Sequence, residues 1–112
     1  MSNSILSTNI AEPTLDLNDL RVFAYVASLA SFSSAADALN IHKSSVSRSI
    51  TRLESMLEAP LLERTTRKVE LTRSGVALKV RCIEILSRVN ESIAYIGSMN
   101  PESPKRQRVY AS

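Results

Sequence analysis

"HKSSVSRSITRLE", His42 to Glu54, is the stretch from which the rest of the chain can be read. Val46, Ile50 and Leu53 recur at i, i+4 and i+7, the spacing of one buried helical face, and Leu57 extends the row. The other positions suit no ordinary surface helix. Ser44, Ser45, Ser47, Ser49 and Thr51 are mediocre helix formers whose hydroxyls compete for backbone hydrogen bonds, and Lys43, Arg48 and Arg52 fill much of the remainder. Short hydroxyl side chains let a helix approach a groove closely, while Arg and Lys reach past them to base edges and phosphates.

The neighbouring segments supply the frame. Asn18 is a candidate N-cap for a first helix, with Leu20, Phe23, Ala24 and Ala27 at helical spacing to about Leu29. Ser33 is a candidate N-cap for a short second helix, "SAADALN", packed through Ala35, Ala36, Ala38 and Leu39, and a turn of about four residues leads into the helix that carries the hydroxyls. Pro60 is expected to end that third helix. "LLERTTRKVELT" then sets Val69 and Leu71 in period-two alternation around a polar tip at Thr65–Lys68, which predicts a small β-hairpin. Thr72 can cap a last helix from about Arg73 to Ser98, with Leu78, Cys82, Ile85, Val89 and Ile96 as an apolar seam that misses one step at Ser92. So long a seam exceeds what a small core can cover, so a second copy of the chain is its expected partner. The predicted fold class is mainly α, a winged helix-turn-helix of three helices and a hairpin wing, followed by a long dimerisation helix. The predicted divisions are a disordered tail at 1–14, the winged domain at 15–73, the linker or dimerisation helix at 74–99, and a linker at 100–112.

Composition narrows the function. The chain has 112 residues, 44% of them hydrophobic and 22% charged, as expected for one small globular domain with an extension. Residues 1–42 hold one cation against four acids, a net charge of −3, and residues 43–112 hold thirteen cations against seven acids, a net charge of +6. The basic half begins where the hydroxyl-rich helix begins, which points towards a polyanion. A single cysteine excludes an internal disulfide framework and favours a reducing cytoplasm; no apolar run has the length of a membrane span, and no signal peptide is evident. One His, one Cys and two glycines offer no nucleophile with its base, no metal-ligand cluster and no Gly-rich phosphate loop, so neither an enzyme nor a metal or cofactor is expected. The rival reading is a protein-interaction module whose basic face is incidental and whose long helix is the working part.

"LDLNDLRVFAYVASLASFSSAADALNIHKSSVSRSITRLESML" followed by "PLLERTTRKVELTRSG" resembles the N-terminal DNA-binding region of LysR-type transcriptional regulators, over about Leu15 to Gly75. The matches are "LRVF", "SFSSAADALN", "VSRSITRLE", "ER" with "LT", and Gly75. The resemblance implies a bacterial, sequence-specific protein that binds a palindromic site in double-stranded DNA as a homodimer, with tetramers possible at full length and no membrane. Lys43 stands where that family usually has Gln, Glu58 where it often has Gly, and Leu62 where it often has Phe. The small-molecule-binding domain of the family is missing, and "KRQRVYAS" resembles the strand that opens it. A fragment lacking effector sensing is therefore the expectation.

Site residues follow from that frame. Lys43, Ser44, Ser47 and Arg48 occupy the first turns of the recognition helix, where base-edge contact is expected, with phosphate contact an equal alternative for Ser44. Thr51 and Arg52 lie further along, towards the DNA backbone. Ser33 would cap its helix, hold a phosphate, or do both. Arg64, Arg67 and Lys68 belong to the wing and are expected at phosphate or in the minor groove, the alternative being an idle loop. His42 reads as a polar turn residue. Leu78, Cys82, Ile85, Val89 and Ile96 are the expected dimerisation residues.

Overall fold

Helix α1 runs Leu17–Leu29, α2 Phe32–Leu39 and α3 Lys43–Leu57; strands β1 (Leu62–Arg64) and β2 (Val69–Leu71) follow, and α4 runs Arg73–Ser98. The computed structural model describes residues 15–64 and 68–100. The expected tail at 1–14, the hairpin tip at Thr65–Arg67 and the linker beyond Asn100 lie outside the described residues.

The order of elements is the predicted one, but three boundary residues differ. Asp16, not Asn18, caps α1: its extended backbone lets the carboxylate accept from the Asn18 amide at 2.8 Å. Ser31, not Ser33, caps α2, its hydroxyl accepting from the Ser34 amide at 3.0 Å, so Ser33 stands exposed in the first turn. α3 ends at Leu57 because Glu58 turns left-handed, at φ 54°, before Pro60 is reached. The Ala59 amide then donates back to the Glu54 carbonyl at 3.2 Å, which closes a Schellman-type end.

Left-handed backbone also follows α1, at Ala30, and α2, at Asn40, so the first three helices all end this way without glycine. Asn tolerates the conformation through its short polar side chain, whereas Ala and Glu bear a Cβ that crowds the following carbonyl. The sharp reversals nonetheless stack α1, α2 and α3 around one core. Leu20, Val22, Phe23 and Val26 of α1 meet Ala35 and Ala36 of α2, and Val46, Ile50 and Leu53 of α3, all buried. Ala35 and Ala36 are small enough to let α2 lie close; Ala38 is exposed, against expectation, and Leu39 is half-buried.

The wing closes the core from below. β1 and β2 pair antiparallel with Leu62 opposite Leu71, Glu63 opposite Glu70 and Arg64 opposite Val69, and Leu61 and Leu62 are buried. Thr72 caps α4 as predicted, its hydroxyl accepting from the Gly75 amide at 3.0 Å. α4 then passes α1, where Cys82 is fully buried and its thiol donates to the Leu20 carbonyl at 3.0 Å. Burial pushes that thiol up to about 11, so it stays protonated and donating through the physiological range.

Because glycine carries no Cβ to crowd a left-handed turn, Glu58→Gly should raise stability by about 0.5–1 kcal/mol in spite of glycine's greater freedom when unfolded. Urea unfolding followed by circular dichroism measures this. An unchanged or lower midpoint would mean that the Glu58 side chain supplies a contact worth the strain.

Candidate nucleic-acid interface

α3 is held by three buried aliphatic residues and one buried hydroxyl, Ser49, with Met56 packed against the same core. Lys43, Ser44, Arg48 and Thr51 are exposed, and Ser47 is half-buried at the edge of the same face. These positions recur three and four residues apart, so they form one stripe of hydroxyls and cations opposite the core. Arg48 donates to the Ser45 hydroxyl at 3.2 Å, which lays its guanidinium along the helix near that stripe.

The two ends of α3 are finished differently. At the N-terminus, His42 makes no side-chain capping bond, the first turn has no acidic residue, and Lys43 opens the helix. Capping and dipole both favour the reverse, a hydroxyl or carboxylate there and no cation. At the C-terminal end two side-chain ties hold the helix. Arg52 donates to both oxygens of Asp19, at 3.0 and 2.8 Å, and to the Ser49 hydroxyl at 3.3 Å. Asp19 is buried to 5% side-chain exposure while Arg52 keeps 57%, so the carboxylate is the desolvated partner and the guanidinium covers it. The hydrogen bond and charge of Asp19 hold the Arg52 pKa above its ordinary value. One carboxylate oxygen of Glu54 accepts from the Leu61 and Leu62 amides, at 2.8 and 3.3 Å, and ties α3 to the wing.

The expected site residues therefore separate. Lys43, Ser44, Ser47, Arg48 and Thr51 share the outward face of α3, and Ser33 is exposed on α2. Arg52, expected at the DNA backbone, has a partner inside the chain and orients α3 upon α1. In the wing, Arg64 sits opposite Val69, Lys68 pairs with Glu70 at 3.5 Å, and Arg67 lies outside the described residues. The seam of α4 also divides. Cys82 belongs to the chain's own core and Leu78 packs against it, so neither is open to a partner as expected, whereas Ile85 and Ile96 are exposed and Val89 is half-buried. The apparent gap at Ser92 closes when the row is taken through Leu86, Val89, Ile93 and Ile96, a spacing of three, four and three. Asp19, Ser31 and Glu54 escaped the sequence reading. Ser31 stood three residues ahead of Ser34, whose amide donates to its hydroxyl, a capping spacing; Asp19 offered no local sign of its partner 33 positions on.

A helix-turn-helix with a two-stranded wing and an outward polar, cationic third helix defines the winged class of nucleic-acid-binding folds. Residues 17–76 match the family model described as "Bacterial regulatory helix-turn-helix protein, lysR family", and the chain belongs to that family. It is 44% identical over 75 residues to the uncharacterised regulator YhjC of Escherichia coli, covering 67% of this chain and 25% of that protein. It is 38% identical over 86 residues to a transcriptional regulator of Xanthomonas campestris, covering 77% of this chain and 25% of the relative. The chain thus spans about a quarter of the length of these curated relatives. Among solved structures, the DNA-binding domain of BenM in complex with the catB site 1 DNA superposes with a TM-score of 0.74 at 35% identity, covering 76% of this chain and 96% of that one. The oxidised form of Corynebacterium glutamicum OxyR gives 0.76 at 30% identity, over 82% of this chain and 28% of that one. No helix among the described residues is long and apolar enough to cross a membrane.

A buried carboxylate deprived of its partner costs about 1–3 kcal/mol, and Asp19 is such a carboxylate. Arg52→Ala should therefore lower the urea midpoint clearly, and adding Asp19→Ala should recover most of the loss. Arg48→Ala, which frees only an exposed hydroxyl, should leave the midpoint unmoved. Equal loss in the two arginine variants would show that the Asp19 tie contributes nothing.

Proposed function

We propose that this chain reads double-stranded DNA in a sequence-specific way, as the DNA-binding part of a transcriptional regulator that works as a homodimer paired through α4. The observation that carries the reading is the outward face of α3. Its 15 residues, about 22 Å of helix, leave Lys43, Ser44, Ser47, Arg48 and Thr51 towards solvent over a face with no bulky apolar side chain to hold a groove wall away. The end of the helix that would enter first gives up its own capping, so its amide N–H groups and Lys43 serve an external anion. A stabilising sequence would not leave that end so, and a phosphate backbone supplies what is lacking.

The roles follow from reach. Lys43 and Arg48 extend furthest from α3 and are the base-reading candidates, with Ser44 and Ser47 contacting closely between them. Ser33, on the first turn of α2, meets the DNA backbone, as does the wing through Arg64 and Arg67. Glu63 and Glu70, opposed on the wing, repel phosphate and leave its cations to make the approach. The BenM and CbnR DNA-binding domains were solved on DNA, which supports the same role for this domain. The exposed row on α4, Ile85, Ile93 and Ile96 beside Val89, supports pairing of two copies.

Selection of bound fragments from a random DNA pool should recover a palindrome. On that site, Lys43→Ala or Arg48→Ala should cost about 1–3 kcal/mol and far less on random DNA. Arg67→Ala should weaken both about equally and reduce the salt slope by about one. If the Lys43 and Arg48 variants lose the same affinity on both DNAs, α3 does not read bases.

Val89→Glu should place like charges against each other across the two-fold seam and weaken the dimer by several kcal/mol. Sedimentation equilibrium reads this directly. An unchanged dimer would place the interface elsewhere on the chain.

A further inference from the structure

Residues 60–62 are gripped from two sides. From α3, the Glu54 carboxylate takes the amides of Leu61 and Leu62. From the start of α4, the Thr72 hydroxyl donates to the Pro60 carbonyl at 2.7 Å and its amide to the Leu61 carbonyl at 3.0 Å, while the same hydroxyl accepts from the Gly75 amide. Gly75 lies so close that any Cβ there would fall on the Leu61 carbonyl oxygen. Short polar bonds and one backbone contact thus lock the end of α3 to the beginning of α4.

That lock has a long lever. At about 1.5 Å per residue, Val89 lies roughly 22 Å along α4 from Ser74, so a tilt of about 5° at the lock carries α3 through about 2 Å relative to the seam. Two protomers double the displacement to about 4 Å, which exceeds the 3.4 Å or so between successive base pairs. The angle is held at residues 60–62 as well as where Leu78, Cys82 and Leu86 pack α4 on the core, and it bears on the register in which two copies of α3 meet DNA.

We propose that Glu54, acting with Thr72, is a positioning residue that sets the half-site spacing the dimer accepts, without touching DNA itself. The inference rests on the reading of the chain as a DNA-binding dimer, and the test separates the two. The palindrome recovered by selection is resynthesised with its half-sites moved together or apart by one and two base pairs, and a single half-site is measured beside it. The unaltered chain should prefer one spacing by about tenfold, equivalent to about 1.4 kcal/mol. Glu54→Gln retains a carbonyl oxygen for the two amides and should keep that preference. Glu54→Ala should flatten it to within roughly threefold while half-site affinity stays within roughly twofold. Thr72→Val, which deletes the hydroxyl at nearly constant shape, should flatten it too and provides the test if Glu54→Ala fails to fold. Retention of the full spacing preference in a folded Glu54→Ala or Thr72→Val variant overturns the proposal, as does an equal loss at every spacing. If the unaltered chain binds the half-site yet shows no spacing preference, the positioning role fails and DNA reading stands; if it binds no DNA, both fail.

Discussion

Val46, Ile50 and Leu53 are the only large apolar residues that α3 buries, and the whole arrangement depends on that narrow stripe. Each such side chain stabilises by about 1.5–3 kcal/mol when removed from water, which fastens one face of a helix but does little to stop it rolling or sliding. Side-chain bonds supply the missing constraints. Asp19 takes hold of Arg52 and prevents roll against α1; Glu54 takes hold of the Leu61 and Leu62 amides and prevents slip along the wing. A helix with so little apolar surface keeps one orientation because both ties lie in its second half.

The distribution of those ties explains how the same helix can be both rigid and available. Its C-terminal half is fixed by a desolvated carboxylate, a wing and a closed end at Glu58, while its N-terminal turn carries no internal capping bond from a side chain. Stability is concentrated away from the face proposed to meet DNA. The hydroxyl-rich composition follows, because propensity given up in the outer face is recovered through tertiary contacts elsewhere.

Periodicity and turn chemistry made most of the architecture legible in advance. The row Val46, Ile50, Leu53 gave the buried face of α3, Thr72 marked the start of α4, and the alternation of Val69 and Leu71 marked the wing. Boundaries were less legible where several residues could cap: Asp16 and Asn18 compete two positions apart, and Ser31, Ser33 and Ser34 are all hydroxyls, so only backbone direction decides among them. The end of α3 was misplaced because a Pro is a visible stop, whereas a Glu in a left-handed turn is not. Two of the five residues expected on the α4 seam, Leu78 and Cys82, pack on the chain's own core together with Leu86, because periodicity alone does not say which stretch of a long apolar row the chain covers itself. The Asp19 and Arg52 pair could not be read at all, since long-range partners leave no periodic trace. As for the outward face of α3, Lys43, Ser44, Arg48 and Thr51 were legible from their distance to the apolar stripe, whereas Arg52 and Glu54, equally polar, turn to partners elsewhere in the chain.

Cys82 gives the molecule a built-in chronometer. Its sulfur is fully enclosed between α1 and α4, bonded to the Leu20 carbonyl, and protonated far above neutrality. A thiol reagent can reach it only while α4 is lifted away from α1, and only the thiolate reacts once exposed. The rate at which the single thiol is labelled thus counts excursions of one helix from the other, with no probe engineered into the chain.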